Sequence, residues 1–169
     1  MGIKHIKTFN HTNMVRSILL LEDKNILISA GDYQTKFWDL NNENNPLKTF
    51  DNIYTYWNNG LERIDEDKII VCNRNNLIII SISKLEIIKE INNNYRCYSI
   101  KSIKNKGIVL VGGYYNNIYY IYVYRSDNYE LIQTIYNAHG GVISGFVEIN
   151  NHLISSSSWD GYIKNWLLK

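Results

Sequence analysis

Two segments, one near each end of the chain, share the same spacing of histidine, aspartate and tryptophan. His11 precedes Asp32 by 21 residues, and Trp38 follows that aspartate by 6 residues. The second segment repeats both intervals in His139, Asp160 and Trp166. Because two intervals agree in two distant segments, the sequence indicates an internal repeat, and the repeat decides the fold.

The stretch between the two aspartates divides into three nearly equal steps. Moving from Asp32 to Asp160 by about 43 residues at a time meets Asn75 and Asn117, each of which lies between two β-rich runs. A period of about 40–45 residues with four short strands in each repeat is the sequence signature of a β-propeller blade. The chain is therefore predicted to contain four blades.

The composition agrees with many short strands joined by turns. The 169 residues include 14 Tyr and a single Pro, and isoleucine and asparagine are frequent. β-branched and aromatic residues favour strands, whereas asparagine favours turns. We predict one all-β domain over residues 1–169, a β-propeller of four-stranded antiparallel blades. The predicted blades cover about 11–51, 54–93, 96–137 and 139–169.

A fourth strand for the last blade is predicted at the amino terminus. The last repeat shows only three strand patterns, and the residues HIKTF within segment 4–9 match the fourth-strand patterns PLKTF at 46–50 and LIQTI at 131–135. Pairing of the first and last strands would remove two exposed sheet edges. We therefore expect residues 4–9 to form a strand that completes the last blade.

The repeats resemble the WD-repeat β-propellers along the whole chain, most clearly in the first and last repeats. In that family a histidine, a serine or threonine, the turn aspartate and the tryptophan form a hydrogen-bonded tetrad, which gives the buried indole N–H an acceptor. The resemblance implies structural tetrads at His11, Asp32 and Trp38, and at His139, Ser156, Asp160 and Trp166.

The two middle repeats lack the tetrad residues. Their histidine positions hold Tyr54 and Arg96, and their tryptophan positions hold Ser81 and Val123. We therefore expect apolar packing alone to hold these blades.

The resemblance implies a non-catalytic scaffold that binds other proteins through the loop face of the propeller. Residues next to the turns and at the starts of the first strands include Trp, Tyr and Arg, the types that dominate interface hot spots. The candidate partner-binding residues are Arg16, Trp57, Arg74, Tyr95, Arg96, Tyr114, Tyr115, Asn116 and Trp159.

Other functional classes are less favoured. The net charge of +2, from 18 basic and 16 acidic residues, gives no extended footprint for nucleic acid or a membrane. Binding of anionic lipid headgroups or nucleic acid stays open as an alternative, with a propeller hydrolase less favoured still. We predict no enzyme activity, catalytic residue, metal or cofactor, because the His-Ser-Asp set is explained by the structural repeat rather than by a triad.

The two cysteines and the expected compartment complete the sequence predictions. Cys72 and Cys97 lie in apolar, strand-like patterns without a CxxC motif, so we expect buried free thiols in a reducing compartment. No apolar run approaches the ~18 residues of a membrane span, and the amino terminus lacks the apolar core of a secretory signal. A soluble cytoplasmic protein is expected.

Closure of the ring is left open by the sequence. Four blades lie at the lower limit of propeller size. The chain could close alone, self-associate into an eight-bladed ring, or pair with another propeller half. Two-fold symmetry is the commonest symmetry among oligomers, which favours a homodimer.

Overall fold

The computed structural model describes residues 2–41, 45–57 and 59–168. These residues form four antiparallel sheets, each with its strands in chain order. The first sheet contains β1 Val15–Leu21, β2 Ile26–Gly31, β3 Gln34–Asp39 and β4 Lys48–Asp51. The second contains β5 Leu61–Arg63, β6 Lys68–Asn73, β7 Asn76–Ser81 and β8 Glu86–Asn92. The third contains β9 Arg96–Ile103, β10 Ile108–Tyr115, β11 Ile118–Arg125 and β12 Leu131–His139. The fourth contains β13 Ile143–Asn150, β14 Leu153–Ser158 and β15 Ile163–Leu167.

Each sheet is one blade of a β-propeller, and the predicted all-β fold with four blades is confirmed. Among the described residues, helix is limited to two short 3-10 turns at equivalent places in the first and third blades, Glu22–Lys24 and Lys104–Lys106. Each turn ends in a left-handed residue, Asn25 at φ 53° and Gly107 at φ 62°. Asparagine and glycine tolerate this backbone region, so both turns can lead directly into the next strand.

The blades pack on one another in chain order through apolar clusters between successive sheets. Phe37 and Ile28 of the first blade pack with Ile78 and Ile80 of the second. The second blade meets the third through Ile79, Val111 and their neighbours. Ile121 and Ile143 belong to the cluster between the third and fourth blades. Side chains alternate between the two faces of a strand, which lets a middle blade bury both faces against its neighbours.

The fourth and first blades do not share such a core. Among the described residues, the apolar clusters join only successive blades, and the free faces of the terminal blades carry exposed apolar side chains. Ile18 and Leu20 are exposed on the first blade, and Val147, Ile163 and Leu167 on the fourth. The four blades therefore form an open arc.

The predicted amino-terminal strand over residues 4–9 is wrong. Residues 2–14 contain no strand, and the fourth sheet has the three strands β13, β14 and β15. Phe9 instead packs on Trp38 of the first blade, with ring centroids 5.2 Å apart. Because the first and last blades are not brought together, the segment has no access to the edge of β15.

The expectation of free thiols is also wrong. Cys72 on β6 and Cys97 on β9 form a disulfide, with Cα atoms 5.5 Å apart. The sequence could not reveal this pair, because the two cysteines become neighbours only when the second and third blades pack together.

Apolar packing is not the only force that holds the middle blades. Besides the disulfide, the hydroxyls of Tyr95 and Tyr124 are 2.7 Å apart in a buried hydrogen bond. The ring of Tyr95 stacks on Tyr122 at 3.8 Å between centroids. The expectation failed because a tyrosine can fill apolar space and still satisfy its hydroxyl with a second tyrosine.

Candidate interaction surface

The last blade contains the complete hydrogen-bonded set that the resemblance to WD-repeat propellers implied. His139 Nδ1 lies 2.9 Å from Asp160 Oδ2, and His139 Nε2 lies 2.7 Å from Ser156 Oγ. Trp166 Nε1 donates to the same serine oxygen at 2.8 Å. With its proton on Nδ1, His139 donates to the aspartate and accepts from the serine, so every polar atom of the set is used.

Asp160 also anchors the turn around it. Its carboxylate accepts the backbone N–H groups of Gly140 and Tyr162 at 2.7 and 2.9 Å. Desolvation alone would raise the pKa of Asp160, but these N–H groups and His139 outweigh it and hold that pKa well below its ordinary value. The carboxylate therefore stays ionised and fixes the loop before β13 against the turn before β15.

The first blade has a less complete set. Trp38 Nε1 donates to Ser29 Oγ at 2.8 Å, as its counterpart does in the last blade. His11 Nε2 lies 3.4 Å from the backbone carbonyl of Ser29, however, and its buried Nδ1 has no hydrogen-bond partner among the described residues. Asp32 pairs with Arg16 at 3.3 Å instead of with the histidine. In this blade Asp32 is therefore bonded to Arg16, whereas the implied tetrad would bond it to His11.

A cavity of about 840 Å³ opens on the face that carries the β6–β7 turn and the starts of the first strands. We call this the loop face, and the opening the loop-face cavity. Three arginines line the cavity, Arg16, Arg74 and Arg96, together with four aromatic residues, Tyr54, Tyr56, Trp57 and Tyr98. None of the described residues that line it is acidic. The cavity is thus both cationic and aromatic.

Arg74 occupies a defined position over the aromatic residues of the cavity. It lies in the β6–β7 turn with a left-handed backbone, φ 55°. Its guanidinium lies over the rings of Tyr54 and Tyr56, 5.2 and 5.5 Å from their centroids, and donates to Tyr56 Oη at 2.8 Å. That hydrogen bond is the main reason that the pKa of Tyr56 is lowered from its ordinary value. The stacking orients the cation without neutralising it.

Aromatic side chains continue outward from the cavity as one row across three blades. Trp57 contacts Tyr98, with centroids 4.8 Å apart, and Trp159, with centroids 5.2 Å apart. Tyr98 in turn contacts Tyr114 at 6.5 Å, and Tyr114 contacts Tyr119 at 4.9 Å. We call these five residues the aromatic row. Trp159 is 65% exposed, so the row reaches the surface at the fourth blade.

The structure brings most of the predicted partner-binding residues together. Arg16, Trp57, Arg74 and Arg96 line the cavity, and Trp159 and Tyr114 belong to the aromatic row. Tyr115 at the end of β10 and Asn116 in the β10–β11 turn are exposed outside the cavity. The prediction that Tyr95 binds a partner is wrong. Its side chain is only 5% exposed and packs in the core, where no partner can reach it.

Sequence reasoning missed Tyr119 of the aromatic row and three aromatic residues of the cavity lining, Tyr54, Tyr56 and Tyr98. Tyr54 and Tyr56 stand two apart in the run Tyr-Thr-Tyr-Trp, and Tyr98 stands two after Arg96. In extended chain, residues two apart point to the same side. This spacing could have indicated that the three tyrosines face the surface, but only their neighbours Trp57 and Arg96 were predicted to bind a partner.

Two further features of the described residues bear on the class of protein. No helix among them is long and apolar enough to cross a membrane. Within the same residues, no group of three or more His, Cys, Asp or Glu side chains is arranged to hold a metal ion. The fold and the loop-face surface define a β-propeller arc with a cationic, aromatic face.

Comparisons with known proteins show what the chain is similar to. Residues 3–39 match the family model described as WD domain, G-beta repeat. No curated protein matches the sequence. A chain of a mitotic checkpoint complex crystal structure superimposes with a TM-score of 0.79 at 14% identity, over 94% of this chain and 50% of that one. The family model thus matches one segment of the chain, and the WD40 propellers among the structural neighbours share its propeller fold.

Two WD40 domains of known structure are similar as well. The WD40 β-propeller domain of Doa1 gives a TM-score of 0.74 at 18% identity, over 92% of this chain and 51% of that one. The C-terminal WD40 domain of Sif2 gives 0.74 at 13% identity, over 94% and 47%. The chain therefore spans about half the length of the structures that it matches.

Proposed function

We propose that this chain is a non-catalytic interaction module that binds other proteins through its loop face. WD40 propellers generally mediate protein–protein interaction, and one structural neighbour comes from a mitotic checkpoint complex. The observation that carries the proposal is the convergence of Arg16, Trp57, Arg74 and Arg96 on one cavity. Tryptophan, tyrosine and arginine are the residues that dominate binding energy at protein interfaces.

The rigidity of the surface supports a role in binding. The rings of Trp57 contact both Tyr98 and Trp159, and the Arg74 guanidinium is fixed by Tyr54 and Tyr56. Side chains that are ordered before a partner arrives lose less conformational entropy on binding. The loop face is therefore suited to a specific contact.

A structural role for the His-Ser-Asp set supports the non-catalytic part of the proposal. Ser156 is 1% exposed, and its hydroxyl is bonded to both His139 and Trp166. A catalytic nucleophile must be reachable by its substrate and free to attack it. The bonds of Ser156 suit a blade that is held rigid rather than a reaction.

We further propose that the open arc is completed by other blades, either from a second copy in an eight-bladed ring or from another propeller half. The chain covers 47–51% of the three solved chains described above. Ile18 on the first blade and Ile163 on the fourth are exposed on the faces where further blades would pack. Burial of such apolar area is the main source of stability between neighbouring blades.

A capture experiment tests the binding function. The tagged chain is compared with an Arg74→Glu, Trp159→Ala variant and with an Arg125→Glu control, and the captured proteins are quantified by mass spectrometry. Arg125 is an exposed arginine at the end of β11 that does not line the cavity. We expect the loop-face variant to lose partners that the wild type and the control retain, with unchanged melting temperatures. Equal capture by all three proteins would contradict the proposal.

A further inference from the structure

The loop-face cavity carries arginine charge that the described residues do not fully pair with carboxylates. Arg74 and Arg96 are both exposed and line the cavity. Among the described residues, neither forms an ion pair with a carboxylate, whereas Arg16 is paired with Asp32. Two arginines in one concave site are thus available to an anionic group.

The arginines can form directional bonds with a carboxylate. A guanidinium has five N–H donors in a planar fork, and Tyr56 Oη takes one of those of Arg74. The fork matches the two oxygens of a carboxylate, and such charge-assisted bonds are about twice as strong as neutral ones. Stacking on Tyr54 and Tyr56 holds the fork in place before the ligand arrives.

The remaining lining of the cavity suits a polypeptide. Four asparagines, Asn52, Asn73, Asn75 and Asn76, stand around it. Each side-chain amide can donate and accept hydrogen bonds, which are the two needs of a peptide backbone. Trp57 and Tyr98 add apolar surface beside the charge, and the aromatic row carries that surface on to Trp159.

We propose that the loop-face cavity binds an acidic, extended segment of a partner protein, through carboxylates held by Arg74 and Arg96. This proposal rests on the protein-binding function proposed above and specifies the chemistry of the partner. A polypeptide is favoured over nucleic acid, because the net charge is only +2 and the basic residues form no continuous phosphate-binding stripe. It is favoured over a lipid surface because the arginines line a concavity instead of projecting from a flat apolar face.

The test uses fluorescein-labelled peptides of Glu, Tyr and Gly, together with versions in which Gln or Lys replaces every Glu. Fluorescence anisotropy measures their binding to the wild type, to an Arg74→Ala, Arg96→Ala variant and to Arg125→Ala. We expect the Glu peptide to bind about tenfold or more tightly than the Gln peptide, with an affinity that falls as salt is added. The double variant should lose this preference, and the Arg125 control should keep it. Circular dichroism checks that each variant is folded.

Several outcomes would overturn the acidic-segment proposal. Equal affinity for the Glu and Gln peptides would show that charge is not recognised. Tighter binding of a single-stranded oligonucleotide or of phosphatidylserine vesicles than of the Glu peptide, lost in the same double variant, would assign the cavity to another ligand class. If the Arg74→Glu, Trp159→Ala variant still loses captured proteins in either case, the protein-binding function stands and only the proposed ligand is wrong.

Discussion

The indole rings of Trp57 and Trp159 meet at a centroid distance of 5.2 Å and an angle of 74° between planes, although 102 residues separate them in the chain. Trp57 precedes the first strand of the second blade, and Trp159 lies in the β14–β15 turn of the fourth. The contact joins two blades that are not adjacent in the arc. Residues from three blades thereby form one continuous surface on the loop face.

Removal of the Ser156 hydroxyl should destabilise the last blade. Ser156→Ala leaves both His139 Nε2 and Trp166 Nε1 without the oxygen they share. Each buried polar group left unpaired costs about 1–3 kcal/mol. Urea denaturation should show a lower free energy of unfolding with an unchanged m-value.

Ser29→Ala in the first blade is the matched comparison. Within the part of the chain that the structure describes, Ser29 Oγ bonds only to Trp38 Nε1, since His11 uses the backbone carbonyl of Ser29. The loss of stability should therefore be smaller than for Ser156→Ala. A larger loss for Ser29→Ala would contradict the different bonding of the two blades.

His11 should make the fold sensitive to acid. Desolvation lowers the pKa of His11 from 6.5, although the carbonyl of Ser29 partly opposes this effect. Well above pH 6.5 the histidine is neutral in both states, so it adds no pH dependence there. As the pH falls below 6.5, the unfolded chain takes up the proton more readily than the folded chain, and stability decreases until the folded pKa is passed.

The variant His11→Gln removes this titration. Melting temperatures at pH 7 and pH 5 should differ less for His11→Gln than for the wild type. The same difference for both proteins would show that His11 does not contribute to acid sensitivity.

The sequence predicted the parts of the fold that repeat within a blade. The nearly equal spacing of Asp32, Asn75, Asn117 and Asp160 predicted four blades, because each blade must turn at the same point between its second and third strands. Contacts between blades have no such period. The Cys72–Cys97 disulfide, the Tyr95–Tyr124 hydrogen bond and the packing of Phe9 on Trp38 join different blades or segments, so they were missed.

The candidate surface was also predicted only in part, because only some of its residues stand at positions that repeat from blade to blade. Arg74 and Trp159 were found because they stand at the repeated turn position. The contacts that give the surface its shape, such as Trp57 against Tyr98 and Trp57 against Trp159, depend on how blades pack together. No spacing along the chain encodes them.

Closure of the arc by a second copy can be measured as a solution mass. An eight-bladed ring of two chains should give light scattering at twice the mass of one chain. Ile18→Lys, on the free face of the first blade, should reduce that mass to a single chain, since a charge cannot be buried there without a partner. A wild-type mass of one chain at all concentrations would exclude the homodimer and leave another propeller half as the completing partner.

Site-specific photo-crosslinking tests the central claim, that partners bind at the loop face, most directly. A photo-reactive phenylalanine replaces Tyr56 in the cavity or, as a control, Tyr136, which is exposed on the outer strand β12. After illumination in cell extract, adducts are identified by mass spectrometry. The account predicts specific protein adducts at position 56 that disappear when Arg74→Glu and Trp159→Ala are added, and few at position 136. Adducts concentrated at position 136, with none at position 56, would contradict it.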